Sequence, residues 1–217
     1  MDKKHQPSIK IISALIISSA ILVTGCLSNE ASSVNKNYIN DSIEVLELLY
    51  EAQRYQSDEA DLDVKMYNEI YTKKEKYKSA KDILENWTGD EIVLIEETSQ
   101  AMQSGLDDLI TVMELFTSDE TSNSAEVFAQ AQVLTDSGIN KVSNGFTDFT
   151  LSEGLVLSRT DRREILDNME IAFSELFEDF NSYVTNGGDP TEYITDPVSM
   201  PILITYMIYY GELSAAD

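Results

Sequence analysis

The sequence predicts an all-α fold: an elongated antiparallel helical bundle of five or six helices, following an N-terminal leader and a flexible tether. Two observations carry this. Apolar residues recur at steps of three and four along several long stretches, the period of a helix with one buried face. Strand signals are missing: there is no pair of alternating apolar runs joined by a tight turn, no βαβ rhythm and no repeat of fixed period. Residues 38–217 are enough for one domain with a single core.

The first element is the leader. Lys3, Lys4 and Lys10 are basic, residues 11–23 are almost purely apolar, and the run closes on Val23-Thr24-Gly25-Cys26. Basic, then apolar, then small is the order of a secretory signal. The closing tetrapeptide resembles the lipobox of prokaryotic membrane lipoproteins, and the acidity of the chain is similar to that of salt-adapted archaeal proteins. The resemblance implies cleavage after residue 25, lipid on Cys26, and a domain anchored to the outer face of the cell membrane. The alternative is an uncleaved anchor, although 13 apolar residues fall short of the roughly 20 a spanning helix needs. One lipid chain holds only marginally, so stable attachment implies more than one. Residues 26–37, rich in Ser, Asn and Ala without apolar period, read as a flexible tether.

The first bundle helix is expected over residues 37–56, with Ile39, Ile43, Leu46, Leu49, Tyr50 and Gln53 on one face. A second should start at Ser57-Asp58-Glu59, where acids suit a helix start, and carry the stripe Met66, Ile70, Tyr77, Ala80, Leu84, Trp87. Its centre, Lys73-Lys74-Glu75-Lys76, reads as a solvated face with local ion pairs or as a docking patch for an acidic partner. Thr88-Gly89-Asp90-Glu91 has the pattern of a capping box, with Trp87 and Ile92 as its hydrophobic staple. The helix it opens repeats apolar residues from Ile92 to Phe116 at alternating steps of three and four, which predicts lengthwise packing.

After a polar turn at residues 118–124, a fourth helix to about Phe146 should bury a small-residue face: Ala125, Phe128, Ala131, Thr135, Gly138 and Val142. Gly138 predicts a bend, and Asn144-Gly145 the end. Residues 149–158 read as a buried connection or short helix. A fifth helix from Thr160-Asp161 to Val184 pairs its aromatic stripe with the small face and stops at Asn186-Gly187-Gly188. Asp189-Pro190-Thr191-Glu192 and Asp196-Pro197 look like caps. Residues 200–210 are apolar all round and are expected as a helix buried inside the bundle. A buried strand or an exposed docking surface are the alternatives.

Charge and missing residue types narrow the chemistry. The first 25 residues hold three of the 15 basic residues and one of the 39 acids, which leaves 12 against 38. Such a surface repels phosphate backbones, so nucleic acid is no expected partner. Cys26 is the single cysteine and His5, in the leader, the single histidine. Serine triads need an imidazole, zinc sites draw on Cys and His, and di-iron bundles use Glu-x-x-His pairs. No phosphate-cradling Gly-rich motif occurs. No cofactor, metal or catalytic residue is therefore expected.

Candidate binding residues are softer. Asp58, Asp61 and Asp63, and Asp189 and Asp196, are candidate weak cation sites without EF-hand spacing. Tyr50, Tyr67, Tyr71, Tyr206 and Tyr210 would line a ligand pocket if their helices met. Asn40-Asp41-Ser42 and Asn86-Trp87-Thr88 are glycosylation sequons at Asn40 and Asn86. Taken together, these features point to a membrane-anchored, non-catalytic binding or interaction module, accessory to an envelope complex, transporter or sensor. A carboxylate-based envelope hydrolase and a purely structural spacer are the alternatives.

Overall fold

The computed structural model describes residues 29–87, 93–117, 125–152, 155, 157–189, 193 and 196–215. The expected leader, Cys26, the expected capping box at residues 88–91 and the expected turn at residues 118–124 lie outside these. Among the described residues there are seven helices and no strand: α1 (Asn29–Arg54), α2 (Leu62–Glu85), α3 (Val93–Thr117), α4 (Ala125–Thr150), α5 (Arg159–Ala172), α6 (Ser174–Thr185) and α7 (Ser199–Ala215).

Cross-helix contacts give the directions. Tyr38 meets Trp87 with ring centroids 5.1 Å apart, while Glu51 binds Lys76 at 2.5 Å, so α1 and α2 run antiparallel. Lys74 with Glu114 and Lys81 with Asp107 set α2 against α3 in the same sense. Met102 against Gly145 and Phe116 against Phe128 do so for α3 and α4. The next neighbour breaks the pattern. Lys36 pairs with Glu164, Asn168 bonds Asn40, and Tyr50 meets Phe173, so α1 and α5 run parallel. Finally α7 returns along α5, with Glu212 on Arg162 and the Tyr206 hydroxyl on Glu170.

One continuous core runs through all seven elements. Leu46, Leu84, Met102, Phe146, Phe149, Ile165 and Ile202 are each fully buried, and each contributes about 1.5–3 kcal/mol through apolar burial. The backbones of α3 and α4 come close together at two glycines. A Cβ placed on Gly105 would lie 2.6 Å from the Gly138 carbonyl oxygen, and one on Gly138 would lie 2.7 Å from that of Gly105. The two glycines let the backbones touch. Gly138 is thus a crossing point, and α4 continues unbroken past it.

Several expected boundaries move. α1 begins at Asn29, so residues 29–37 of the expected tether are helical. Their propensity is weak, but Asn35 is buried and Lys36 binds Asp161 and Glu164, and such tertiary contacts override propensity. α2 starts at Leu62 and not at residues 57–59. Asp61 caps it, accepting from the Asp63 and Val64 amides at 3.0 and 3.2 Å. α4 runs to Thr150 because Gly145 is buried against Met102 and is a packing residue, not a stop. Its buried face takes Val127, while Ala125 and Phe128 are exposed.

The single helix expected from residue 160 to 184 is two, α5 and α6, broken at Phe173 (φ −118°, ψ 35°). The apolar step of three and four passes straight through the break, which is why periodicity does not reveal it. The stop at Asn186-Gly187-Gly188 is as expected. Gly187 takes φ 89°, and the Gly188 amide bonds back to the Tyr183 carbonyl at 3.0 Å. Residues 200–210 are helical, but they lie at the bundle's edge against α4 and α5. Ile202, Leu203, Thr205 and Tyr209 point inward, whereas Met200 and Tyr210 are 43% and 39% exposed. The expectation of a helix enclosed on every side is therefore corrected to one buried face.

Candidate functional site

One recess opens at the break at Phe173. It lies between the last turns of α1, Lys76 of α2, and the chain from Ile171 to Glu175, and holds about 530 Å³. Glu44, Glu47, Glu51 and Arg54 recur at steps of three, four and three, a charged stripe beside the apolar stripe of the same helix. The last three of them reach the cleft together with Tyr50 and Tyr55.

The floor is aromatic. Tyr50, 9% exposed, stands edge-on to Phe173 with centroids 5.9 Å apart. The Arg54 guanidinium lies over the Tyr50 ring, its Cζ 5.1 Å from the centroid, and also binds Glu175 at 3.2 Å. Lys76 holds Glu51. Glu47 has no ion pair among the described residues. Burial pushes its carboxyl above the usual 4.5, with Glu51 and Glu44 adding to the rise and Lys76 opposing it. The Tyr50 hydroxyl is buried with no hydrogen-bond partner, and burial raises its pKa. The cleft therefore presents an aromatic surface and three carboxylates. Glu51 and Glu175 are already tied to the cations Lys76 and Arg54, so the site offers a seat for a cation more readily than an acid–base pair.

A second recess of about 670 Å³ is wide open, along Asp179, Tyr183, Gly187, Gly188 and Tyr193 at the end of α6. A third feature is a surface. The first turns of α2 project from the bundle and leave Leu62 79%, Val64 45%, Met66 58%, Tyr67 61% and Tyr71 55% exposed. Met66, expected in the core stripe, is out because α2 overhangs its neighbours there.

The candidate tyrosines occupy three separate places and line no common pocket. Tyr67 and Tyr71 stack on each other at 6.2 Å on the overhang. Tyr206 and Tyr210 stack at 6.1 Å on α7, with Tyr206 also against Phe177. Only Tyr50 enters the cleft. The candidate cation-site acids do not converge either. Asp61 caps α2, and Asp196 caps α7 by accepting from the Val198 and Ser199 amides at 2.9 and 2.8 Å. Asp58, Asp63 and Asp189 are exposed, and no group of three metal-ligating side chains occurs among the described residues.

Of the sequons, Asn40 lies mid-helix with its side-chain oxygen bonded by Asn168, and Ser42 is fully buried. Asn86 is exposed just past α2, its amide donating to the Asp82 carbonyl. Arg54, Glu47 and Phe173 are site residues that sequence reasoning missed. The acidic stripe of α1 was the available signal for the first two, and nothing local marks the third. No protein family matches the chain, and neither does any curated protein or solved structure.

Proposed function

We propose that this chain is an extracytoplasmic interaction module, held to the membrane by lipid on Cys26 and acting without catalysis on a protein partner of the envelope. The lipobox-like Val23-Thr24-Gly25-Cys26 supports the anchor. The observation that carries the interaction role is the α2 overhang, where five large apolar side chains stand in water on three turns of one helix. Val64, Tyr67 and Tyr71 share one face of the helix, and an exposed apolar face of this kind marks contact sites. Tyr and Met suit such a contact, since both are enriched at interfaces.

The test takes two measurements on full-length protein in its own membrane. Mass spectrometry of the purified chain should find an N-terminal lipidated Cys26, and an unmodified Met1 on a lipid-free chain would defeat the anchor. A photo-crosslinker at Met66 should give one discrete adduct that disappears with Tyr67→Glu and Tyr71→Glu. No adduct from Met66, Leu62 or Tyr67 on a correctly lipidated chain would defeat the interaction role.

A further inference from the structure

We infer that the cleft at the α5–α6 break is a binding site for an organic cation, an alkylguanidinium or alkylammonium head seated on the Tyr50 ring among Glu47, Glu51 and Glu175. The site lies apart from the α2 overhang and does not depend on lipid at Cys26, so it stands or falls separately from the role proposed above.

Four features of the cleft lead there. Its volume, about 530 Å³, is in the range of small-molecule sites, roughly 300–1,000 Å³. Three carboxylates line it, and Glu47 is half-buried with no ion pair among the described residues, so one negative charge inside the cleft is uncompensated. Tyr50 lines the cleft with an aromatic ring that stands edge-on to Phe173, an apolar wall for the body of such a cation.

The fourth feature identifies the chemistry. Arg54 already places a guanidinium over the Tyr50 face and against Glu175. That is the recognition a ligand cation would receive: a ring quadrupole beneath and a carboxylate at the edge. Arg54 is 53% exposed and Glu175 73%, so their pair is screened by solvent and easily opened. Arg54 thus acts as an internal stand-in that a ligand displaces by swinging it into solvent. The acidity of the whole chain favours the same class of ligand, drawing cations toward the surface and repelling anions.

Displacement makes an unusual prediction. If Arg54 competes for the seat, removing its charge tightens binding; if Arg54 helps hold the ligand, removal weakens it. Titration calorimetry on the detergent-solubilised full-length protein, at fixed ionic strength, would use agmatine and tetramethylammonium as probes, with urea as the uncharged isostere of guanidinium. Saturable one-to-one binding of a cation and none of urea is expected. Arg54→Gln should tighten it roughly two- to fivefold, the size of an exposed cation–π contact. Glu47→Gln should weaken it by a similar factor. Helical circular dichroism and the melting temperature verify that both variants fold. A further arm compares agmatine with the peptide acetyl-Gly-Arg-Gly-amide. Tighter agmatine assigns the seat to a free small-molecule cation, tighter peptide to a partner's arginine. Absence of saturable cation binding, equal binding of urea, or unchanged or weaker binding in Arg54→Gln would overturn the inference.

Discussion

Gly105→Ala puts the close α3–α4 crossing to a quantitative test. In a helix this substitution should stabilise by about 1 kcal/mol through propensity. Here the new Cβ would lie 2.6 Å from the Gly138 carbonyl oxygen and 2.9 Å from both Lys141 Cβ and Val142 Cγ2. The nearest atom is backbone, so no rotamer change relieves it and the two helices must separate. Overpacking of this kind costs about 1–3 kcal/mol. A backbone clash belongs at the upper end, leaving a net loss of about 2 kcal/mol after the propensity gain. For a domain of this size that is a fall of about 4–8 °C in Tm. Gly138→Ala should behave alike, its Cβ meeting the Gly105 oxygen and Leu109 Cγ at 2.7 Å. Because both variants force open the same gap, the double variant should lose less than the sum. Gly211→Ala is the control. Nothing lies within 4 Å of its added Cβ, so it should gain up to about 1 kcal/mol. Urea unfolding followed by circular dichroism measures all four. A Gly105→Ala protein as stable as the parent would show that the crossing is not tight.

Further outcomes follow from the same contacts. Asp41 and Glu47 have pKa values raised by burial above 3.8 and 4.5; at Asp41 the neighbouring Trp87 indole opposes the rise without reaching hydrogen-bond geometry. A carboxyl whose folded pKa is raised contributes stability that is full below its unfolded pKa and is lost as pH rises through the folded value. Glu47→Gln should therefore raise Tm near pH 7 and leave it unchanged near pH 4; an equal shift at both would refute the assignment. Asp61→Ala and Asp196→Ala remove helix caps and should each lower stability by about 1 kcal/mol in urea unfolding. Unaltered midpoints would mean the caps contribute nothing. Tyr209→Phe strips a buried hydroxyl that donates to the Thr150 carbonyl at 2.6 Å, leaving that acceptor short of a partner, and should lower stability by about 1–3 kcal/mol.

Helix type was legible because it is written in local spacing. The long heptad ending at Phe116 forms α3, and the Asn-Gly-Gly stop ends α6. What the spacing could not say is how far each stripe finds a partner. Met66 and Leu84 share one apolar stripe, yet Met66 is 58% exposed and Leu84 fully buried, because neighbours cover only the second half of α2. Gly145 reads locally as a stop, yet it is where Met102 packs. The cleft was less legible still. Tyr50 and Phe173 each belong to an apolar stripe, and their meeting, 5.9 Å apart, depends on α1 and α5 lying parallel.

The amino-acid pattern by itself determined that this is a helical protein with acids off its apolar faces, since period and solvation depend on a residue and its near neighbours. It also determined that Cys26 is the single thiol and His5 the single imidazole in the sequence. Only the tertiary structure decided which apolar residues go uncovered, where two helices meet through glycine, and that one arginine sits on a tyrosine beside a break in the chain. Those outcomes depend on which surfaces, far apart in sequence, compete for the same space, and no local spacing encodes that competition.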